Sequence, residues 1–168
     1  MTSLSYPTVL FDWGDTVMYD NPVLTAPMAE WSSVHVVEGI ADVLTDLRTS
    51  GRRMILATGA MVSDESQIRA ALAKAGLDSY FSHIYCFQNT RIPKSEAFYR
   101  RILSDLDLRP SDALMVGDSF EKDVLAANAA GIFGVWFNQI SDENRNHELH
   151  ATIQSMQDLR AFFQSLDQ

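Results

Sequence analysis

Short apolar runs separated by stretches of helical period constrain the fold of this chain more than any other feature. Five such runs stand out: Thr8 to Phe11, Met54 to Ala57, Ile84 to Phe87, Ala113 to Val116 and Phe133 to Phe137. Each is too short for an ordinary helix and apolar without alternation, which is how a strand buried on both faces reads. Most are followed by a segment of helical period, as in Gly39 to Ser50, where Ile40, Val43, Leu44 and Leu47 fall on one helical face. Strand–helix alternation of this kind makes a parallel sheet covered by helices on both faces. The expected fold is therefore a three-layer α/β/α, Rossmann-like domain. With 168 residues, 46% of them hydrophobic, the chain can bury one substantial core, so residues 1–168 are expected to form a single domain.

Local punctuation refines the picture. Gly51, Gly76 and Gly131 each follow a helical stretch, where a residue tolerant of left-handed backbone ends a helix. Ser63 or Asp64 can cap a helix running to about Ala75, Ser95 one ending near Asp105, and Ser155 one from about Met156 to Leu166. A further helix is expected from about Phe120 to Ala130, and Ser141 to His150 reads as a polar, solvated loop. Residues 18–38 have no clear period and contain Pro22, Pro27 and Trp31. They predict a structured flap rather than a separate domain. Leaving the C-terminal end of a parallel strand, such a flap would lie beside the ligand crevice.

The polar residues that stop the strands carry the chemistry. Asp12 follows the first run, Thr58 the second and Asp118 the fourth. Parallel strands present their C-terminal ends on one edge, so these side chains should converge. One Asp at a strand end is an ordinary turn or cap residue. Three polar strand ends, with Lys94 on a further loop, form a set able to hold a phosphate and a cation.

Composition narrows the partners. A formal net charge of −9 excludes a broad nucleic-acid interface, which needs surplus Lys and Arg. The single cysteine, Cys86, cannot form an internal disulfide, and it reads as a small buried strand residue in a chain suited to a reducing cytoplasm. The start MTSLSYPTVLFDWGD lacks the pattern of a secretion signal, and no run reaches the length of a membrane span. His83, His147 and His150 have no partner at metal-ligand spacing, and Trp13 and Trp31 suit core packing or a pocket wall.

The four segments around these residues resemble the motifs of the haloacid dehalogenase (HAD) superfamily, in order and spacing and over nearly the whole chain. VLFDWGDTV is similar to the first motif, ILATG to the second, IPKSEAF to the third, and MVGDSFEKDVLAANAAGI to the fourth, which is the most specific. The resemblance implies a hydrolase of the phosphatase type. Asp12 would be the nucleophile that forms an aspartyl-phosphate. Mg2+ would be held by Asp12, the backbone carbonyl of Gly14 and Asp118. Thr58, the amide of Gly59 and Lys94 would bind phosphate oxygens, with Asp123 orienting Lys94 or a metal-bound water.

One position departs from the family pattern. The second residue after the nucleophile is usually an Asp that protonates the leaving group and then activates water, but here it is Gly14, with Asp15 next. Such a group contributes about 10²–10⁴-fold. Three readings are open. Asp15 substitutes for it; the leaving group needs no proton, or a flap residue such as Asp20, Glu30 or His35 gives one; or the site is slow, or binds without turnover. Carbon–halogen hydrolysis, which uses the same Asp without a metal, and a non-catalytic phosphate- or partner-binding module are the alternatives to a phosphatase. The segments after the first and second motifs are too short for the family's cap domains. An open site suits a large or polymeric phosphorylated substrate, or a cover supplied by another copy in a homo-oligomer.

Overall fold

The computed structural model describes residues 3–168. Six strands, β1 (Thr8–Phe11), β2 (Arg53–Ala57), β3 (Phe81–Tyr85), β4 (Ala113–Gly117), β5 (Phe133–Phe137) and β6 (His150–Ile153), form one sheet in the order β3-β2-β1-β4-β5-β6. All five neighbouring pairs are parallel. The order reverses at β1, because the chain runs outward through β2 and β3 and then returns to lay β4 on the other side. At such a switch point the loops leaving adjacent strands diverge to opposite faces and open a crevice at the strand ends. Here the crevice lies over the ends of β1 and β4.

Side-chain alternation along each central strand feeds two separate cores. Val9, Phe11, Met54, Leu56, Leu114 and Val116 enter one buried cluster. Leu10, Ile55, Ala57 and Met115 enter the other. The first is closed by α1 (Ile40–Thr49), α2 (Glu65–Lys74) and α6 (Met156–Leu166), and the second by α4 (Glu96–Asp105) and α5 (Ala126–Ala129). Helices on both faces explain why the strands read as unbroken apolar runs.

The helix signals operate unevenly. Asp64, rather than Ser63, caps α2, its carboxylate accepting the Gln67 N–H while the Gln67 side chain accepts the Asp64 N–H. Ser155 caps α6 in the same reciprocal way with Asp158. Ser95 precedes α4 without capping it, because its hydroxyl donates to the carbonyl of Pro93 instead. The segment expected as one helix from Phe120 opens as a widened π-type turn, Phe120–Leu125, before α5.

Two sequence expectations need correction. The third strand ends at Tyr85, and Cys86 and Phe87 turn into α3 (Phe87–Thr90), because the Asn89 side chain accepts the Cys86 N–H and donates to the Ile84 carbonyl. The tail contains β6, which starts at the last residue of the expected loop and was not foreseen; it is an edge strand with only Ile153 buried, so its apolar signal is weak. Residues 18–38 form a flap with one short 3-10 turn, Met28–Glu30, and Val36 bridges back to Met18. Among the described residues no helix is long and apolar enough to cross a membrane.

Candidate active site

Asp12 is the first residue beyond β1, and its N–H donates to the Val116 carbonyl of β4 at 2.9 Å. Asp118 is the first residue beyond β4. Asp123 lies in the widened turn that follows, with its side chain folded back under the strand end. Oxygens of these three carboxylates all lie within 4.8 Å of one another. The fold-back needs Gly117: a Cβ there would stand 2.1 to 2.5 Å from the Asp123 carboxyl and Cβ atoms.

Lys94 comes from the loop between α3 and α4, and its stem is almost fully buried. Its ammonium donates to Asp12 Oδ1 at 2.8 Å and pairs with Asp123 Oδ1. Exposure falls from 13% at Asp12 to 4% at Lys94 and 1% at Asp123, so the pairing runs inward from the cavity floor. Burial works against the lysine charge, but the Asp12 carboxylate, helped by Asp123, outweighs it and raises the ammonium pKa. Asp123 Oδ2 accepts the Ser119 N–H at 2.9 Å, while Oδ1 meets Lys94 as an ion pair without a hydrogen bond of ordinary geometry.

One ammonium serves a cluster of three carboxylates, an imbalance that adds to burial in raising the pKa of Asp118 and of Asp123. Burial pushes the Asp118 pKa up, and the neighbouring Asp12 and Asp123 push it further. Burial likewise raises the Asp123 pKa, with Asp12 adding to it and Lys94 opposing. The Thr16 hydroxyl donates to Asp118 Oδ1 at 3.3 Å, and Trp136 Nε1 donates to the Asp118 carbonyl at 3.0 Å, fixing the residue from both sides. Surplus negative charge and an all-oxygen donor set suit a hard divalent cation such as Mg2+.

A cavity of about 380 Å³ opens above Asp12, and Thr58, Gly59, Lys94 and Asp123 also border it. Thr58 is buried, and its Oγ1 accepts the Ala60 N–H at 3.1 Å, which sets the hydroxyl at the turn after β2. A Cβ on Gly59 would meet the Lys94 stem at 3.5 Å, so the two phosphate-binding candidates lie side by side. The outer wall is apolar, built by Leu24, Met28 and Trp31 of the flap and by Met61 and Val62 opposite. Trp13 also borders the cavity, although most of its ring belongs to the core.

Asp15 stands apart from the cavity border. Its backbone is left-handed (φ +60°), and its Oδ1 accepts the Asp20 N–H at 3.0 Å. Asp20, by contrast, borders the cavity beside Gly14, whereas Glu30 and His35 do not. His147 and His150 stack on each other at 5.2 Å and border no part of the cavity either. Cys86 is buried, and burial pushes its thiol pKa up, as suits a packing residue.

Comparison with known proteins fits this arrangement. The model of the haloacid dehalogenase-like hydrolases matches residues 14–131. The chain belongs to that family. The matched span takes in Thr58, Lys94, Asp118 and Asp123 and begins just after Asp12. Among curated relatives, the chain is 28% identical over 110 residues to pyrimidine 5'-nucleotidase PynA of Streptococcus pneumoniae, covering 64% of this chain and 45% of that protein. It is 28% identical over 137 residues to human N-acylneuraminate-9-phosphatase, covering 79% of this chain and 53% of the relative. The chain thus spans about half the length of the curated relatives it matches. A protein from Listeria monocytogenes serotype 4b superposes with a TM-score of 0.81 at 21% identity, over 95% of this chain and 98% of that one. A HAD phosphatase from Thermococcus onnurineus does so with a TM-score of 0.74 at 19% identity, over 92% and 96%. At those identities the solved structures show a shared fold.

Proposed function

We propose that this HAD-like domain is a magnesium-assisted phosphomonoester hydrolase that transfers the phosphoryl group of its substrate to Asp12. The observation that carries the reading is the gathering of Asp12, Asp118 and Asp123 around one point, with the Lys94 ammonium pinned between two of them. A carboxylate attacking a phosphate dianion meets electrostatic repulsion, so the site must bring positive charge to the phosphoryl oxygens. The named functions of the relatives, a nucleotidase and a sugar-acid phosphatase, support the same reaction class.

Each residue has a task in this reading. The Asp12 carboxylate attacks phosphorus, held at its angle by Lys94 and by the strand-end hydrogen bond to Val116. Lys94, the Thr58 hydroxyl and the Gly59 amide take the phosphoryl oxygens. Asp123, 1% exposed and paired with the ammonium, holds Lys94 in place and keeps it charged. Mg2+, bound by Asp12, Asp118 and the Gly14 carbonyl, would neutralise the phosphoryl charge as a Lewis acid. The organic part of the substrate lies against the apolar wall of Leu24, Trp31 and Met61. Carbon–halogen hydrolysis uses the same nucleophile without a cation, so halide release that survives chelation would favour it instead.

The test is hydrolysis of an aryl phosphate. Chelation of divalent cations and Asp12→Asn should each abolish it. An Asp12→Asn protein with full activity sinks the nucleophile assignment.

A further inference from the structure

We propose that Asp20, from the flap, supplies the proton-transfer group that the chain lacks at Gly14. The inference rests on the phosphoryl-transfer reading of the same site and adds a catalytic residue to it.

The geometry begins with the space above Gly14. A Cβ built on Gly14 would lie 3.5 Å from the Asp20 Cβ and 3.9 Å from both its Cγ and Oδ2. The Asp20 carboxyl therefore stands in van der Waals contact with the place where a side chain at position 14 would begin. It borders the same cavity as Asp12 and Lys94, on the flap side. Oδ1 is engaged, accepting the Asn21 N–H at 2.8 Å. Oδ2, the oxygen nearer Gly14, takes no hydrogen bond among the described residues.

A tight turn brings residue 20 back to residue 14. The Trp13 carbonyl accepts N–H groups from Thr16, Val17 and Met18, and the Asp15 N–H donates to the Met18 carbonyl at 2.7 Å. Asp15 takes the left-handed conformation that this reversal requires, which Asp tolerates better than most residues. Its carboxylate then holds the Asp20 N–H, and Gln139 Nε2 donates to its carbonyl at 3.3 Å. Asp15 is thus a positioning residue, and Asp20 the group it aims.

The step balances over one turnover. As an Asp12 oxygen bonds to phosphorus and the phosphorus–oxygen bond of the ester breaks, the Asp20 carboxyl gives its proton to the departing oxygen. The Asp20 carboxylate then takes a proton from water as the water oxygen attacks the phosphoryl group. The bond to Asp12 breaks, inorganic phosphate leaves, and Asp20 is again protonated.

Asp20→Asn in the magnesium-loaded protein separates this from a structural role. With an alkyl phosphate, whose leaving oxygen needs the proton, kcat should fall by roughly 10²–10⁴-fold. With 4-nitrophenyl phosphate, whose anion leaves unaided, the variant should release a burst of about one equivalent of nitrophenolate and then turn over slowly, because the aspartyl-phosphate has lost its base. Gly14→Asp placed in an Asp20→Ala background should recover at least tenfold of the lost alkyl-phosphate turnover, since the two side chains would stand side by side at the border of the same cavity. Wild-type turnover of alkyl phosphate by Asp20→Asn, or an equal loss of the first step with both esters, overturns the proposal. Either result leaves the role of Asp12 standing, which Asp12→Asn tests separately.

Discussion

Removing the Lys94 ammonium while keeping its stem, as Lys94→Met does, exposes how the site is held together. The side chains of Lys94 and Asp123 are 4% and 1% exposed, so water cannot replace the lost partner at Asp123. Breaking a buried ion pair by deleting one member costs about 3–5 kcal/mol, because the other charge stays buried and uncompensated. A domain of this size has about 5–15 kcal/mol of total stability, so the variant should fold with a narrow margin. Asp123→Asn added to Lys94→Met removes the stranded charge and should recover about 1–3 kcal/mol of the loss. The cost also depends on pH in a defined sense. Burial already raises the Asp123 pKa in the folded state, and without Lys94 only the Ser119 N–H hydrogen bond opposes the rise. The folded protein then binds the proton more tightly than the unfolded chain, so its stability falls as pH rises through the folded-state pKa and returns below it. Urea denaturation of wild type, both single variants and the double variant in chelator, at neutral and mildly acidic pH, measures every term. A Lys94→Met protein within about 0.5 kcal/mol of wild type at neutral pH would refute the reasoning, since only a surface pair is that cheap to break.

Two further outcomes follow from the same geometry. Gly117→Ala drives a Cβ to within 2.1–2.5 Å of Asp123 and must displace it, so the variant should lose about 1–3 kcal/mol in denaturant titration and most of its phosphatase activity. Mg2+ should raise the melting temperature of wild type and much less that of Asp118→Asn, read by calorimetry; the wild-type shift should shrink as pH falls, because Asp118, whose pKa is raised by burial and by Asp12, must lose its proton to act as a donor.

The parts of the molecule legible in the sequence are those where one physical signal dominates. The central strands read correctly because burial on both faces leaves an unbroken apolar run, as at Val9–Phe11 and Leu114–Val116. The edges of the sheet did not, because β3 exposes Ser82 and His83 and β6 buries only Ile153. The convergence of Asp12 and Asp118 followed from topology alone, since both stop neighbouring parallel strands. The contrasting places of Asp15 and Asp20 were hidden. Both are acidic residues near Gly14, and what separates them is the positive φ at Asp15, which swings one carboxylate into the turn and returns the other to the cavity. The widened turn at Phe120 was equally invisible, although it is what lets Asp123 fold back beneath Gly117.

Covalent capture at residue 12 tests the central claim most directly. The magnesium-loaded protein, given a small phosphoryl donor, quenched in acid and digested, should show the mass of one added phosphoryl group on the peptide containing Asp12 and none in Asp12→Asn. Turnover of phosphate esters with the label on another residue, or with Asp12→Asn as active as wild type, would contradict the account.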